Sequence, residues 1–201
     1  FCAAKCPYCD FNSHVVSRVD QARWADALAS EIARLAAETP GRHLDSIFFG
    51  GGTPSLMRPD TVDRVIRAAR SAWGFTNAIE ITLEANPTSV EKDRFRGFAE
   101  AGVNRLSMGV QALNDPDLRR LGRRHSVAEA RAAFDVARDC FSRVSFESTA
   151  RRTGSPRWLR LDGPAAHVFS PARNNPQIVW DSIRWHGPTI LWTHPNFPLR
   201  P

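Results

Sequence analysis

Apolar residues along this chain follow two alternating spacings. From about Val19 to Glu38 they fall at Ala25, Leu28, Ile32 and Leu35 with charges between them, steps of three and four that bring one helix face inward. Pro40 and Gly41 end that helix. Asp45 to Phe49 is a short run of β-favouring residues entering Gly50-Gly51-Gly52-Thr53-Pro54, which predicts a buried strand closed by a glycine loop. A second helix is predicted from Pro59 to just before Gly74, with Val62, Val65, Ile66 and Ala69 on one face.

Ala78 to Leu83 reads as the next strand, closed by Glu84-Ala-Asn-Pro87. Thr88 and Glu91 have capping-box spacing and predict one helix through Ala101, stopped by Gly102. Val103 to Val110 is a third strand, ending at Gln111. Ser126 and Glu129 open another capped helix with Val127, Ala130, Phe134 and Ala137 inward, and Arg143 to Phe146 begins a fourth strand. The repeat of about 25 to 40 residues per strand-helix unit is that of right-handed βαβ crossovers in a parallel sheet. Such sheets gather their chemistry at the carboxyl ends of the strands, where Gly50 to Thr53, Glu84 and Gln111 all fall.

After about Glu147 the pattern stops. Residues 150 to 201 hold eight of the 14 prolines and four of the six tryptophans, without lysine or glutamate, and Gln177 to Ile183 could be a strand or half a helix. A divergent extension, a low-order tail and a reading-frame change each fit this composition, the frame change best. The expected division is a core at 1–147 and an Arg/Pro/Trp-rich tail at 148–201, with the outer edges of the sheet left unpaired.

Composition narrows the class. A chain of 201 residues, 42% hydrophobic, can bury one domain's core. The net charge of +6 would suggest nucleic acid, but seven arginines against Asp162 and Asp181 place an excess of five in the tail. No basic face interleaved with aromatics stands out, so nucleic acid is not an expected partner. Clustered rather than dispersed cysteines favour a reducing, cytoplasmic setting. No apolar run approaches the roughly 20 residues of a membrane span, although membrane contact stays open. With Phe1 in place of a methionine, the chain is expected to be a fragment.

Cys2, Cys6 and Cys9 form a C-x3-C-x2-C array with Tyr8 before the last thiol. Three close thiolates suit a metal. A structural zinc site needs a fourth ligand, for which His14 is the candidate, whereas a cubane held by three cysteines leaves one iron open. Cys140, at the end of a distant helix, reads as a small buried residue. The triple glycine admits close approach to the backbone or is an ordinary tight turn, and it lacks the Gly-Lys-Ser/Thr of a phosphate loop. Glu84 could accept hydrogen bonds from an amine or a ribose hydroxyl, and Gln111 could bond a sugar hydroxyl. Gly122-Arg-Arg-His125 could offer a guanidinium to a carboxylate or be a solvated face.

The cysteine array resembles the signature of the radical S-adenosylmethionine (SAM) superfamily. With Phe-Phe-Gly-Gly-Gly-Thr-Pro-Ser, Glu-Ala-Asn-Pro, Arg-Leu-Ser-Met-Gly-Val-Gln and Leu-Gly-Arg-Arg-His, residues 1–147 resemble the oxygen-independent coproporphyrinogen III oxidase family. Phe11 stands where the true oxidases carry a further cysteine, so the heme chaperone branch is the nearer likeness. The resemblance implies a partial (β/α)6 barrel lacking its first and last strands. It makes Cys2, Cys6 and Cys9 ligands of a [4Fe-4S] cluster and puts Tyr8, Gly51, Gly52, Thr53, Glu84, Gln111 and Arg123 around SAM. It implies reductive cleavage of SAM to a 5'-deoxyadenosyl radical, with an electron donor such as flavodoxin or ferredoxin, and heme with hemoprotein acceptors as partners of the full-length protein. The rivals are a working oxidase that decarboxylates coproporphyrinogen propionates and a zinc-bound interaction module. Departures from the family pattern are the absent strand before Phe1, Glu147 in place of an aspartate, and the missing His-Asn-x-x-Tyr-Trp heme motif.

Overall fold

The computed structural model describes residues 1–9, 13–148, 166–169 and 190–191. Helix α1 (Gln21–Glu38) begins where the Asp20 carboxylate accepts the Arg23 N–H at 3.0 Å. It buries Ala25 and Ile32, with Leu28 and Leu35 half-buried beside them. Helix α2 (Pro59–Trp73) has proline in its first turn, where no N–H is needed, and buries Val62, Val65, Ile66 and Ala69. Helix α6 (Val127–Cys140) opens on the expected capping box, Ser126 and Glu129 each accepting the other's backbone N–H. Cys140 is its last residue, half-buried against the core.

The helix expected between Thr88 and Ala101 is two pieces, α3 (Ser89–Lys92) and α4 (Phe95–Glu100). Glu91 does not close a capping box. Its carboxylate, 4% exposed, takes the Ser55 hydroxyl and the Asn86 N–H at 2.8 Å, and keeps only a 3.3 Å bond from the Thr88 hydroxyl. A carboxylate so deeply buried needs several donors, and tertiary ones supply them where the local cap cannot. A short helix that the spacing did not predict, α5 (Asp115–Arg120), starts with the Asn114 side chain accepting the Asp117 N–H at 2.9 Å.

The strands are β1 (Leu44–Phe49), β2 (Phe75–Ala85), β3 (Arg105–Gln111) and β4 (Arg143–Ser148), with every pairing parallel. Two short parallel strands flank them, β5 (Ala166–Phe169) beside β4 and β6 (Ile190–Leu191) beside β1. The sheet order is β5-β4-β3-β2-β1-β6, so both edges expected to be open are partly paired. Phe11 and the stretch Gln177 to Ile183 lie outside the described residues.

Side chains alternate along a strand, and here the alternation sorts two chemistries. Ile81, Leu83 and Ala85 of β2, Leu106, Met108 and Val110 of β3, and Val144 and Phe146 of β4 join the helices in one apolar core. The intervening residues, Glu84, Ser107, Gly109, Gln111 and Glu147, face a cavity instead. Glu80, midway along β2, pairs with Arg105 at 2.9 Å and with Arg143, the first residues of β3 and β4, tying the three strands together away from the cavity.

Candidate functional site

The cysteine loop is fixed by backbone contacts on several sides. The Cys2 N–H donates to the His14 carbonyl at 3.0 Å, and the Cys9 N–H to the Cys6 carbonyl at 3.1 Å. The Phe1 ring meets Trp24 of α1 edge-on, with centroids 5.2 Å apart. Gly122, at φ +66°, leaves room for Pro7, whose Cδ would be 2.8 Å from an added Cβ. The glycine loop was expected either to admit a ligand to its backbone or to be an ordinary tight turn. At Gly52 the missing Cβ serves the protein itself, because a side chain there would stand 2.5 Å from the Phe1 carbonyl oxygen. Gly51 differs. Its φ of +114° favours glycine, and nothing lies within 4 Å of its Cβ position.

A cavity of about 590 Å³ opens at the carboxyl ends of the strands. It brings together all ten residues that the resemblance assigns to the cluster and SAM: Cys2, Cys6, Tyr8, Cys9, Gly51, Gly52, Thr53, Glu84, Gln111 and Arg123. His14, the candidate fourth zinc ligand, is exposed and contributes its carbonyl to Cys2. Among the described residues no group of three His, Cys, Asp or Glu side chains is gathered closely enough to hold a single metal ion. A cubane makes a different demand, since each thiolate binds its own iron.

Hydrogen-bond donors reach two of the sulfurs. The Thr53 hydroxyl donates to Cys2 Sγ at 3.5 Å, and Arg123 Nη1 to Cys6 Sγ at 3.6 Å and to the Tyr8 phenol at 3.4 Å. Arg123 Nη2 donates to the Gly109 carbonyl and to Asn86 Oδ1. Burial pushes the Tyr8 phenol above its ordinary value, against the opposing charge of Arg123. His125, 5% exposed, has its Nε2 3.1 Å from the Val110 carbonyl, and burial followed by the Arg123 charge lowers its pKa.

Among the described residues, two buried side-chain polar atoms have no hydrogen-bond partner, Gln111 Oε1 and Arg123 Nε, and both residues line the cavity. One is an acceptor and the other a donor, each left with an unmet hydrogen bond. Gln111 also holds φ +74° at a register shift between β3 and β4, a left-handed backbone that costs a non-glycine residue about 1–3 kcal/mol. Glu84 accepts the Gly51 N–H at 3.2 Å, yet burial first and the Glu147 charge second raise its pKa to about 7. The exposed Glu147 adds a negative charge that disfavours the ionised Glu84, and a cationic ligand beside Glu84 would reverse that.

Asn86, Ser107, His125 and Glu147, none of them a candidate from the sequence, also line the cavity. Asn86 and His125 stood inside the motifs Glu-Ala-Asn-Pro and Gly-Arg-Arg-His. Alternation along Arg-Leu-Ser-Met-Gly-Val-Gln would have set Ser107 beside Gln111 on one face.

Residues 1–156 match the radical SAM superfamily, and the chain belongs to that superfamily. Among individual proteins it is similar to "Heme chaperone HemW" of Haemophilus influenzae, 43% identical over 143 residues, covering 69% of this chain and 37% of the relative. "Radical S-adenosyl methionine domain-containing protein 1, mitochondrial" of Bos taurus is 43% identical over 165 residues, covering 80% of this chain and 37% of the relative. The chain thus spans a little over a third of the curated relatives it matches. A solved structure of coproporphyrinogen III oxidase (HemN) from Escherichia coli, described as a radical SAM enzyme, superposes with a TM-score of 0.66 at 30% identity. That superposition covers 73% of this chain and 34% of the oxidase. The α/β fold with its parallel sheet is therefore that of the radical SAM barrel, present in part.

Proposed function

We propose that this chain is the cluster- and SAM-binding part of a heme chaperone, acting with further segments in heme delivery. Cys2, Cys6 and Cys9 would hold a [4Fe-4S] cluster, and Tyr8, Gly51, Gly52, Thr53, Glu84, Gln111 and Arg123 would surround SAM. The observation that carries this reading is the shared cavity: the three thiol residues line it together with Gln111 and Arg123, which carry an unpartnered Oε1 and Nε among the described residues. The donor set fits a cluster with an open iron, since three cysteine sulfurs share one cavity.

When bound, the cluster supplies a one-electron reductant and SAM a sulfonium. This chain's own residues bind and orient. Glu84 and Glu147 favour a ligand carrying ammonium and sulfonium charge, beside which Glu84 ionises fully. With both Arg123 Nη atoms engaged by protein acceptors, its Nε remains for a ligand oxygen. Gln111 Oε1 accepts from a ligand hydroxyl. Heme, a hemoprotein acceptor and a flavodoxin- or ferredoxin-type electron donor belong to the same proposal, as does a cytoplasmic location. Among the described residues no helix is long and apolar enough to cross a membrane. We also place the boundary between the radical SAM core and the tail at 147–148, with a reading-frame change as the tail's origin; translation of the gene in its other frames tests this by the return of a βα pattern.

The alternative is oxidative decarboxylation of coproporphyrinogen III, which the likeness to the HemN structure favours. Anaerobic reconstitution of the full-length protein decides between them. Iron and sulfide with heme binding and transfer to an apo-hemoprotein supports the chaperone, whereas turnover of coproporphyrinogen to a divinyl product with SAM and reductant refutes it. Zinc without iron or sulfide refutes both.

A further inference from the structure

Asn86 is half-buried behind the cysteine loop, and its amide can be oriented from chemistry alone. Arginine only donates, so the atom facing Arg123 Nη2 is the amide oxygen. The amide nitrogen then points to the Thr53 hydroxyl, 3.3 Å away. Having accepted from Asn86, that hydroxyl has its own proton free for Cys2 Sγ at 3.5 Å. On the other side the guanidinium held by Asn86 reaches Cys6 Sγ at 3.6 Å through Nη1. One amide therefore braces two donors aimed at two different sulfurs. Its backbone is fixed in turn, because the Asn86 N–H donates at 2.8 Å to the buried Glu91 carboxylate, which also holds Ser55.

We infer that Asn86 is a positioning residue that sets the reduction potential of the cluster, through Thr53 at Cys2 and Arg123 at Cys6. The inference rests on the cluster reading above. Hydrogen bonds to ligand sulfurs stabilise the more electron-rich, reduced cluster and raise its potential. Without the amide brace, the hydroxyl and the guanidinium can turn away, and the potential falls.

The test is an EPR-monitored redox titration of the anaerobically reconstituted full chain, with iron and sulfide measured on each sample. Asn86→Ala and Thr53→Val should load the cluster as the parent does, and each should titrate at a more negative midpoint. The double variant should shift by less than the sum of the two, because one arm runs through both residues. A parental midpoint in either loaded single variant overturns the inference, and so does full additivity in the double. Should Asn86→Ala fail to fold, Thr53→Val decides alone, a parental midpoint overturning the inference. A parent chain that takes up no iron and sulfide removes the cluster reading itself, a failure distinct from a loaded cluster whose potential ignores Asn86.

Discussion

The Glu84 carboxylate accepts the Gly51 N–H at 3.2 Å while sharing its cavity with Glu147, and the balance leaves Glu84 with a pKa of about 7. The folded chain therefore binds a proton more tightly than the unfolded chain, where the ordinary value is 4.5. Stability from this group is full below pH 4.5 and is lost as pH rises toward 7, amounting to as much as about 3 kcal/mol. Glu84→Gln should flatten that slope. Urea unfolding midpoints at a series of pH values check it, and an unchanged slope would show that Glu84 is not the group responsible.

Removing any one of Cys2, Cys6 or Cys9 as serine should abolish stable uptake of iron and sulfide. Cys140→Ala should leave uptake unchanged, since Cys140 packs at the end of α6 against the core. Metal analysis and visible absorption after anaerobic reconstitution read both results.

Neighbouring glycines should respond differently. In Gly52→Ala the new Cβ meets the Phe1 carbonyl at 2.5 Å, so the cysteine loop must shift, costing about 1–3 kcal/mol and weakening cluster uptake. In Gly51→Ala space is free and the penalty is that of a φ of +114°. Thermal unfolding with iron content separates loop displacement from backbone strain.

Gln111→Gly should raise stability and lower SAM affinity together. It relieves the φ of +74° and removes an unpartnered buried oxygen, for a net gain of about 1 kcal/mol. Calorimetric titration with SAM on the reconstituted chain reads the loss, and undiminished affinity would free Gln111 from its proposed role.

The regular helices were legible because their inward residues are local and periodic. Val62, Val65, Ile66 and Ala69 are one stripe whatever packs on them, and Ser126 with Glu129 makes its cap within a single turn. The split between α3 and α4 was not legible. Thr88 and Glu91 have the right spacing, but the carboxylate goes to Ser55, 36 residues away. Helix α5 left a signal that could have been read, an asparagine cap followed by Asp-Pro-Asp. In the site, strand ends located Glu84 and Gln111, whereas the work of Asn86 depends on meeting Thr53 and Arg123 across three loops. No one-dimensional pattern carries that meeting.

The sorting of β2, β3 and β4 into an oily side and a polar side has a bearing on how such a protein can change. A substitution at Ser107 or Glu147 alters what the chamber can hold while leaving the neighbouring Leu106, Val144 and Phe146 in place under the helices. Chemistry and scaffold thus occupy separate registers of the same strands, and selection can rewrite one without disturbing the other.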